Sequence, residues 1–259
     1  MEAPLKTIVN LAGDRFARDV VEGLWVGKTF CAECLVLELL SFRHVIALWT
    51  QQRDGARLWL RGLAHVLLNM FVFTPLIFAY SVRWVSDDEL SAPARFVQVL
   101  VAMLVHSVGY YSVHRAMHTP ALYWCHKFHH RFNRIITPLA ANAVTPVEYS
   151  LAYAIPFTAY ARLLSAVGYP ADRFTIHAAI WIIGFTNLLI HTPDLEPLSK
   201  KLPAWLVGTH DHFEHHRKLA KNYAAPTFFH PAREPTNARE FRQNVGWDPG
   251  RGTAAAGTW

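Results

Sequence analysis

Histidine is concentrated in one part of the chain. Residues 114–130, HRAMHTPALYWCHKFHH, place five imidazoles within seventeen residues, directly after an apolar run. A buried imidazole is costly unless a partner or a metal ion uses its ring nitrogens. The cluster is therefore either solvated and incidental, or gathered around a metal ion that binds neutral imidazoles.

Nine of the fifteen histidines follow a repeated spacing. HRAMH contains a pair four residues apart, HKFHH and HFEHH contain i, i+3, i+4 triplets, and one more histidine ends NLLIH. On a helix such a triplet spans an arc of about 100°, so it can direct its imidazoles to one side. A single HxxxH pair is more often a surface feature, but two HxxHH triplets predict a metal site. The predicted metal-binding and catalytic residues are His114, His118, His126, His129, His130, His191, His212, His215 and His216.

The number and type of these ligands indicate iron. Zinc takes four ligands, so nine histidines exceed what one zinc ion uses. Two six-coordinate ions offer about twelve positions, and nine imidazoles leave about three for water, a bridging oxygen species and O2. The chain has neither the Glu-x-x-His pair of carboxylate-bridged di-iron bundles nor the HExxH of zinc proteases. The expected cofactor is a pair of iron ions, with O2 as co-substrate.

The composition places these histidines at a membrane. Hydrophobic residues make up 52% of the 259 residues and charged residues only 17%, which is unusual in a soluble domain. Residues 62–82, 96–113, 149–167 and 174–190 have the length and apolar character of spanning helices. A fifth stretch, 31–50, carries Glu33, Glu38, Arg43 and His44, and is left open as an interfacial helix or an extra span.

Basic residues give the expected orientation. They cluster in segments 53–61, 115–134 and 200–221, which the positive-inside rule assigns to the cytoplasmic face. The expected fold is all-α, an integral membrane four-helix unit of two hairpins with a cytosolic helical cap. His114 and His191 directly follow the second and fourth spans, so remote histidines should meet at the cytoplasmic edge of the bilayer. The expected division is a helical segment at 1–61, a metal-binding membrane domain at 62–230 and a flexible tail at 231–259.

In its motifs the chain resembles the membrane-bound fatty acid hydroxylase and sterol desaturase superfamily. The resemblance rests on HRAMH, HKFHH and HFEHH in that order, with His191 at the end of a span, and covers roughly residues 95–225. It implies a non-haem di-iron centre on the cytosolic side of a four-helix transmembrane unit. It also implies a monooxygenase that hydroxylates, or desaturates, an unactivated C–H bond of an acyl chain, sterol or carotenoid.

Several polar residues near the motifs have less certain roles. Some relatives carry a histidine where this chain has Asn187, and His210 should point away from His212 on a continuous helix. Carboxylates that could orient imidazoles by accepting their far N–H groups are Asp194, Asp211 and Glu214. His65, His106 and His177 lie singly inside predicted spans and are expected to be hydrogen-bonded core residues.

The expected partners are the lipid bilayer, a lipid-like substrate and an electron donor. No flavin, nicotinamide or haem-binding fingerprint is present, so a separate ferredoxin or cytochrome-type carrier and its reductase are expected. The net charge of +6 does not indicate nucleic acid, because no basic arm with interleaved aromatic residues occurs. The alternative function is a histidine-rich membrane metal transporter or metal-binding protein, which should carry ligands along its spans.

Overall fold

Helices make up nearly all of the described secondary structure. The computed structural model describes residues 2–203, 205–219, 222–224, 247–248 and 253–254, with side chains between residues 13 and 224. In chain order the α-helices are α1 (Glu2–Leu40), α2 (Phe42–Gln51), α3 (Gly55–Leu68), α4 (Thr74–Ser81), α5 (Ala92–Met117), α6 (Tyr123–His126), α7 (Pro146–Tyr149), α8 (Ile155–Ala166), α9 (Arg173–Ile190), α10 (Glu196–Ser199) and α11 (Thr209–Lys218). The all-α prediction is confirmed for these residues, apart from a short antiparallel ladder of β1 (Trp247–Asp248) and β2 (Thr253–Ala254).

Within the part of the chain that the structure describes, three helical stretches are long and apolar enough to cross a membrane. They are Gly55–Trp84, Ala92–Met117 and Arg173–Ile190, and they contain the predicted spans 62–82, 96–113 and 174–190. The predicted span at 149–167 coincides with the end of α7, a π turn and α8. Ser150, Thr158 and Arg162 make this stretch less apolar than the other three, so its crossing of a membrane stays a prediction.

Two of these stretches contain a π turn, and a proline follows each one. Asn69–Phe73 precedes Pro75, and Ser150–Ala154 precedes Pro156. Proline lacks the N–H that an α-helix needs at that point, so the turn before it widens and leaves carbonyl groups to be satisfied otherwise. In the first stretch the carbonyl of Asn69 accepts from both the main-chain N–H and the hydroxyl of Thr74, the latter across 2.9 Å.

Helix α1 runs the length of the bundle. Near its middle, Asp19 accepts a hydrogen bond from Arg173 at the beginning of α9, across 2.7 Å. Near its end, Glu38 accepts from the main-chain N–H of Leu139 across 2.6 Å and from Trp59 across 3.1 Å. From Asp19 to Glu38 a helix rises about 28 Å, close to the thickness of a bilayer's hydrocarbon core, about 30 Å.

Glycines allow α1 to approach α4 and the π turn before it closely. A Cβ atom on Gly27 would lie 2.0 Å from the carbonyl oxygen of Met70, and one on Gly23 would lie 2.6 Å from Cα of Pro75. This is the close backbone packing that G-x-x-x-G spacing permits in membranes. Trp25, one of the large apolar residues on the outer side of α1, is 61% exposed.

The stretch 31–50, which the sequence left open, is divided between two helices. Helix α1 ends at Leu40 and α2 begins at Phe42. At the turn between them, the hydroxyl of Ser41 donates to Asp194 across 2.8 Å. The first half of the stretch therefore belongs to the helix that runs along the bundle, and the second half to a separate helix at the end where Glu38 lies. The predicted tail, 231–259, lies outside the described residues except for β1 and β2.

Candidate metal centre

All nine predicted histidines lie in two adjacent groups. In each group, one ring nitrogen per residue lies within 4.8 Å of all the others. Every one of the nine is buried, with at most 4% of its surface exposed. The five-histidine group consists of His114, His118, His126, His130 and His215, and the four-histidine group consists of His129, His191, His212 and His216.

Four separate segments bring these rings together. His114 lies in the last turn of α5, and His191 directly follows α9. The HKFHH segment forms the end of α6 and the 3-10 turn His129–Arg131, whereas the last triplet lies within α11. Helices α5 and α9 therefore deliver His114 and His191 to the same end of the bundle.

Each HxxHH triplet contributes to both groups. His126 and His130 belong to the five-histidine group, but His129 between them belongs to the four-histidine group. In the last triplet the division is reversed, because His212 and His216 belong to the four-histidine group and His215 to the other. Residues i and i+4 differ by about 40° around a helix, whereas i+3 and i+4 differ by about 100°. Each triplet therefore contributes side chains to both groups and links them, in place of supplying a single group.

The spacing of the ring nitrogens fits cis ligands of a six-coordinate ion. The Nε2 atom of His126 lies 3.0 Å from that of His114, 3.2 Å from that of His118 and 2.8 Å from that of His130. In the four-histidine group, Nε2 of His212 lies 2.8 Å from that of His191. Two cis nitrogens bound at about 2.1 Å to one octahedral ion lie about 3.0 Å apart.

Hydrogen bonds on the far side of the rings leave lone pairs facing inward. The Nδ1–H of His114 donates to the carbonyl of Tyr223 across 3.0 Å, and that of His126 donates to Glu148 across 2.6 Å. Both Nε2 atoms then carry lone pairs, yet they lie only 3.0 Å apart. Two lone pairs at this distance repel each other unless a cation lies between them. The residues present therefore fit a bound metal ion.

In the four-histidine group, too, hydrogen bonds at Nδ1 leave the Nε2 lone pairs facing inward. The Nδ1–H of His129 donates to the carbonyl of Ala140 across 3.1 Å, and that of His191 donates to the carbonyl of Asn187 across 2.7 Å. Main-chain acceptors of this kind fix the tautomer of a metal-binding histidine and the orientation of its ring. Nε2 is therefore the atom that each ring presents to the group.

Four imidazoles that lie outside the candidate membrane-spanning stretches are held neutral. Burial, together with the neighbouring imidazoles, lowers the pKa of His118, His130, His212 and His216 well below the usual range of histidine. Neutral imidazole is the form that binds a metal ion. Nine buried imidazoles without a carboxylate in the set make a nitrogen donor set suited to iron, copper, nickel or zinc.

Glu148 is the residue of this site that the sequence reasoning missed. It is 3% exposed, and its Oε2 atom has no hydrogen-bond partner among the described residues. Burial raises the pKa of Glu148 well above its usual range, so a carboxylate here needs positive charge nearby. The available signal was a lone acid in an apolar segment, three residues after Thr145, whose hydroxyl accepts from the main-chain N–H of Glu148 across 3.2 Å.

The carboxylates that were expected to orient imidazoles have other partners. Asp194 accepts from Ser41 and also pairs with Arg43. Asp211 accepts from the main-chain N–H of Gly208 at the start of α11, across 3.4 Å, and Glu214 pairs with Lys218. The acceptors that the structure shows for His114, His126, His129 and His191 are instead Glu148 and main-chain carbonyls.

Two other uncertain residues now have definite surroundings. The side-chain amide of Asn187 donates to the hydroxyl of Tyr153 across 2.8 Å and to the carbonyl of Ala141 across 3.1 Å. His210 lies 3.2 Å from Glu196, outside both groups. Asn187 therefore contacts the site through its main-chain carbonyl, which accepts from Nδ1 of His191. Its side-chain amide links α9 to Ala141 and Tyr153.

The three histidines within predicted spans lie apart from the metal centre. His65 packs against the ring of Phe128 at 4.6 Å, and the Nδ1–H of His177 donates to the carbonyl of Arg173 across 2.8 Å. His106 is fully buried among aromatic rings, and neither of its nitrogens has a partner among the described residues. The expected hydrogen bond is thus present for His177 and absent for His106.

Comparisons with known proteins point to one family. Residues 99–230, which include all nine histidines, match the fatty acid hydroxylase family model. Over 124 residues the chain is 27% identical to fatty acid hydroxylase ahd1 of Mycosarcoma maydis, a stretch that covers 48% of this chain and 30% of that protein. The chain thus matches about a third of the length of that relative. No solved structure matches the chain.

Proposed function

The chain belongs to the fatty acid hydroxylase family, and we propose that it is a membrane-bound, O2-dependent enzyme with a histidine-ligated di-iron centre. It would hydroxylate, or desaturate, an unactivated C–H bond of a lipid-like substrate. The observation that supports this proposal most directly is the pairing of a buried five-histidine group with an adjacent buried four-histidine group, in each of which Nε2 atoms of different rings lie 2.8 Å apart.

The two groups have the ligand number that a pair of six-coordinate ions needs. Five and four imidazoles would leave about one and two positions free, enough for O2, water or a bridging oxygen species. When bound, two iron ions supply the redox chemistry that O2 activation needs, with electrons from an outside donor. The chain's own residues hold His114, His126, His129 and His191 in one tautomer and bury all nine rings, and they would leave one side of the site to the substrate.

The position of the site supports a substrate that comes from lipid. His114 and His191 lie at the ends of α5 and α9, two of the three helices that are long and apolar enough to cross a membrane. An acyl chain, a sterol or a carotenoid in the bilayer could therefore reach the rings without passing through water. We propose that this end of the bundle faces the cytoplasm, because Arg57, Arg61 and Arg131 lie there.

Electrons would come from a separate ferredoxin or cytochrome-type carrier and its reductase. Arg131 directly follows His130, and burial together with Arg61 and Arg57 lowers its pKa. Three arginines that repel one another at the edge of the site would favour an acidic protein surface. This surface supports docking of an acidic carrier close to the five-histidine group.

The test is turnover with a supplied electron donor. The full chain is expressed with a generic ferredoxin and reductase, and cell lipids are examined by mass spectrometry for species heavier by one oxygen atom or lighter by two hydrogens. His130→Ala and His215→Ala should abolish either product while the chain still inserts into the membrane. Iron near two per chain supports the enzyme, whereas exchangeable zinc without any oxidised lipid supports the transporter instead.

A further inference from the structure

The segment that leads into α11 exposes apolar side chains at the histidine end of the bundle. It comprises residues 195–207, and Leu198, Leu202 and Trp205 within it are 62%, 45% and 55% exposed. None of the three candidate membrane-spanning stretches includes this segment. Large apolar side chains that are exposed close together mark a site of interaction with a partner or with a membrane.

A groove lies between this segment and the last turn of α9. Its volume is about 290 Å³, and apart from three hydroxyl groups its lining side chains are apolar. Each of these hydroxyls already donates to a main-chain carbonyl, Thr186 to Ile182 across 2.7 Å, Ser199 to Glu196 across 2.9 Å and Thr209 to Leu189 across 3.1 Å. The groove therefore suits a hydrocarbon chain and offers little to a polar ligand.

The groove lies where α9 would leave the bilayer. Leu189 and Ile190, in the last turn of that candidate spanning helix, form part of its wall. Tryptophan and lysine concentrate at the boundary between hydrocarbon and headgroups, and the segment carries Trp205 close to Lys200 and Lys201. The volume is about twice that of a cavity that holds one benzene ring. It therefore accommodates several methylene groups of a chain whose remainder stays in the bilayer.

The two lysines give this surface its charge. Both are exposed, and the nearest acid along the chain, Glu196, already contacts His210 across 3.2 Å and pairs with Arg217 across 3.5 Å. The next nearest acid along the chain, Asp194, pairs with Arg43. The positive charge beside the groove is therefore available to an outside anion.

We infer that the 195–207 segment binds an anionic phospholipid of the adjacent leaflet, with one acyl chain in the groove and the phosphate beside Lys200 and Lys201. The apolar groove and the adjacent lysines match the two parts of such a lipid. A basic residue at a membrane surface contributes about fivefold to the affinity for anionic lipid. This lipid is distinct from the one that reacts, so the inference does not depend on the proposed function.

The bound lipid would hold the start of α11 against the end of α9. Val207 and Gly208 line the groove and directly precede α11. His212, His215 and His216 follow within the next two turns of that helix. The lipid thus acts on the metal centre only through the helix that carries three of its histidines, as a structural ligand.

Native mass spectrometry of the purified full chain in detergent tests the inference. The chain is titrated with dioleoyl phosphatidylglycerol or dioleoyl phosphatidylcholine, and we expect one phosphatidylglycerol to bind about tenfold or more tightly than phosphatidylcholine. Lys200→Gln/Lys201→Gln should abolish this preference. The matched control Arg53→Gln/Arg57→Gln, with the same change in charge at the same end of the bundle but outside the groove, should retain it.

A second variant tests the groove itself. Leu198→Ser/Leu202→Ser removes apolar lining and should weaken phosphatidylglycerol binding by about fivefold or more, because the acyl chain loses its contacts. Both leucines are exposed, so an unchanged unfolding temperature is expected and shows that the variant is folded. Glycerol phosphate in large excess should not displace the lipid, because it offers the anion without the chain.

Other outcomes would overturn the inference. Equal affinity for the two lipids, binding of neither, or an equal loss of preference in the arginine control would each contradict it. Displacement by glycerol phosphate would show that the lysines bind a bare anion, and unchanged affinity in Leu198→Ser/Leu202→Ser would show that no chain lies in the groove. Because binding is measured without iron, O2 or turnover, these results stand apart from those that test the proposed function.

Discussion

His126 and Glu148 form a buried pair in which the Nδ1–H of the imidazole donates to the carboxylate across 2.6 Å. The opposite nitrogen of the same ring lies 2.8–3.2 Å from the Nε2 atoms of three other histidines. Glu148 thus fixes a ring whose Nε2 atom lies close to those of three other histidines in the five-histidine group. It also adds negative charge behind that ring, which strengthens the ring as a donor to a cation.

Glu148→Gln should weaken metal binding. The amide is nearly isosteric but carries no charge and can present N–H to the ring, so we expect iron affinity to fall by about 10–100-fold. Competition with a graded series of chelators would measure this. Glu214→Gln is the control, since Glu214 pairs with Lys218 away from the rings. Equal iron affinity in wild type and Glu148→Gln would show that the pair is only structural.

Substitutions within one triplet should affect different metal ions. His129→Ala removes a ligand from the four-histidine group, whereas His126→Ala, three residues earlier, removes one from the five-histidine group. In Mössbauer spectra of ⁵⁷Fe-loaded protein, we expect His129→Ala and His216→Ala to change one iron signal, and His126→Ala to change the other. His210→Ala should change neither, because His210 lies beside Glu196. If His126→Ala and His129→Ala changed the same iron signal, the division of the HKFHH triplet between the two groups would be wrong.

Gly27→Leu should destabilise the bundle. A side chain at this position collides with the main chain of the π turn before α4, because even Cβ would lie 2.0 Å from the carbonyl oxygen of Met70. Overpacking of this kind lowers the free energy of unfolding by about 1–3 kcal/mol. Thermal unfolding in detergent measures the loss. Gly13→Leu provides a control on the same helix, since a Cβ there meets nothing within 4 Å.

Helix α1 should place residues before Asp19 on the side opposite the histidines. Arg15 lies 3.6 Å from Asp87 in the turn between α4 and α5, and Arg173 at the start of α9 bonds to Asp19. In a cysteine-free background, a membrane-impermeant maleimide added to whole cells should label Asp14→Cys and Asp88→Cys. Lys200→Cys should react only after permeabilisation. If neither Asp14→Cys nor Lys200→Cys reacts with the maleimide in whole cells, both residues lie on the same side and α1 does not cross the membrane.

Asp172 should make the bundle sensitive to acid. Although burial opposes ionisation, hydrogen bonds from Thr175, Leu90 and Arg95 lower the pKa of Asp172 from 3.8 to about 2. The stabilisation is therefore present in full above about pH 4 and is lost as the pH falls through 2.

Asp172→Asn keeps an oxygen that can cap α9 but removes the charge, so the free energy of unfolding should fall by about 1–2 kcal/mol near neutral pH. Unfolding midpoints of wild type and variant should converge between pH 4 and pH 2. A difference that stays constant across this interval would show that Asp172 acts only through packing.

The spacing of the histidines allowed prediction of which residues meet, but not of how they divide. On a helix, the sequence spacing within one triplet fixes the angles between its side chains around the helix axis, such as the angle between His129 and His130. Which group each ring joins depends on how α6 and the following 3-10 turn are rotated against α11, and long-range packing decides this. Glu148 was missed because its partner, His126, is 22 residues away.

The role of α1 was hidden by its charged residues. Glu33 and Glu38 made the stretch 31–50 look unsuited to a bilayer, yet Glu33 accepts a hydrogen bond from Trp181 across 2.6 Å, and Glu38 accepts from Trp59 and the main chain of Leu139. From the local sequence alone such acids look like unpaired charges, because their hydrogen-bond partners lie more than a hundred residues away or on another helix.

The division of each HxxHH triplet between the two groups has a consequence for assembly of the centre. A shift of α11 by one residue would move His212, His215 and His216 together and so empty positions in both coordination spheres at once. Capture of a first ion, by contrast, would lock the register of both triplets and preorganise the neighbouring sphere for the second. Loading should thus be cooperative, with a half-filled centre rare at equilibrium.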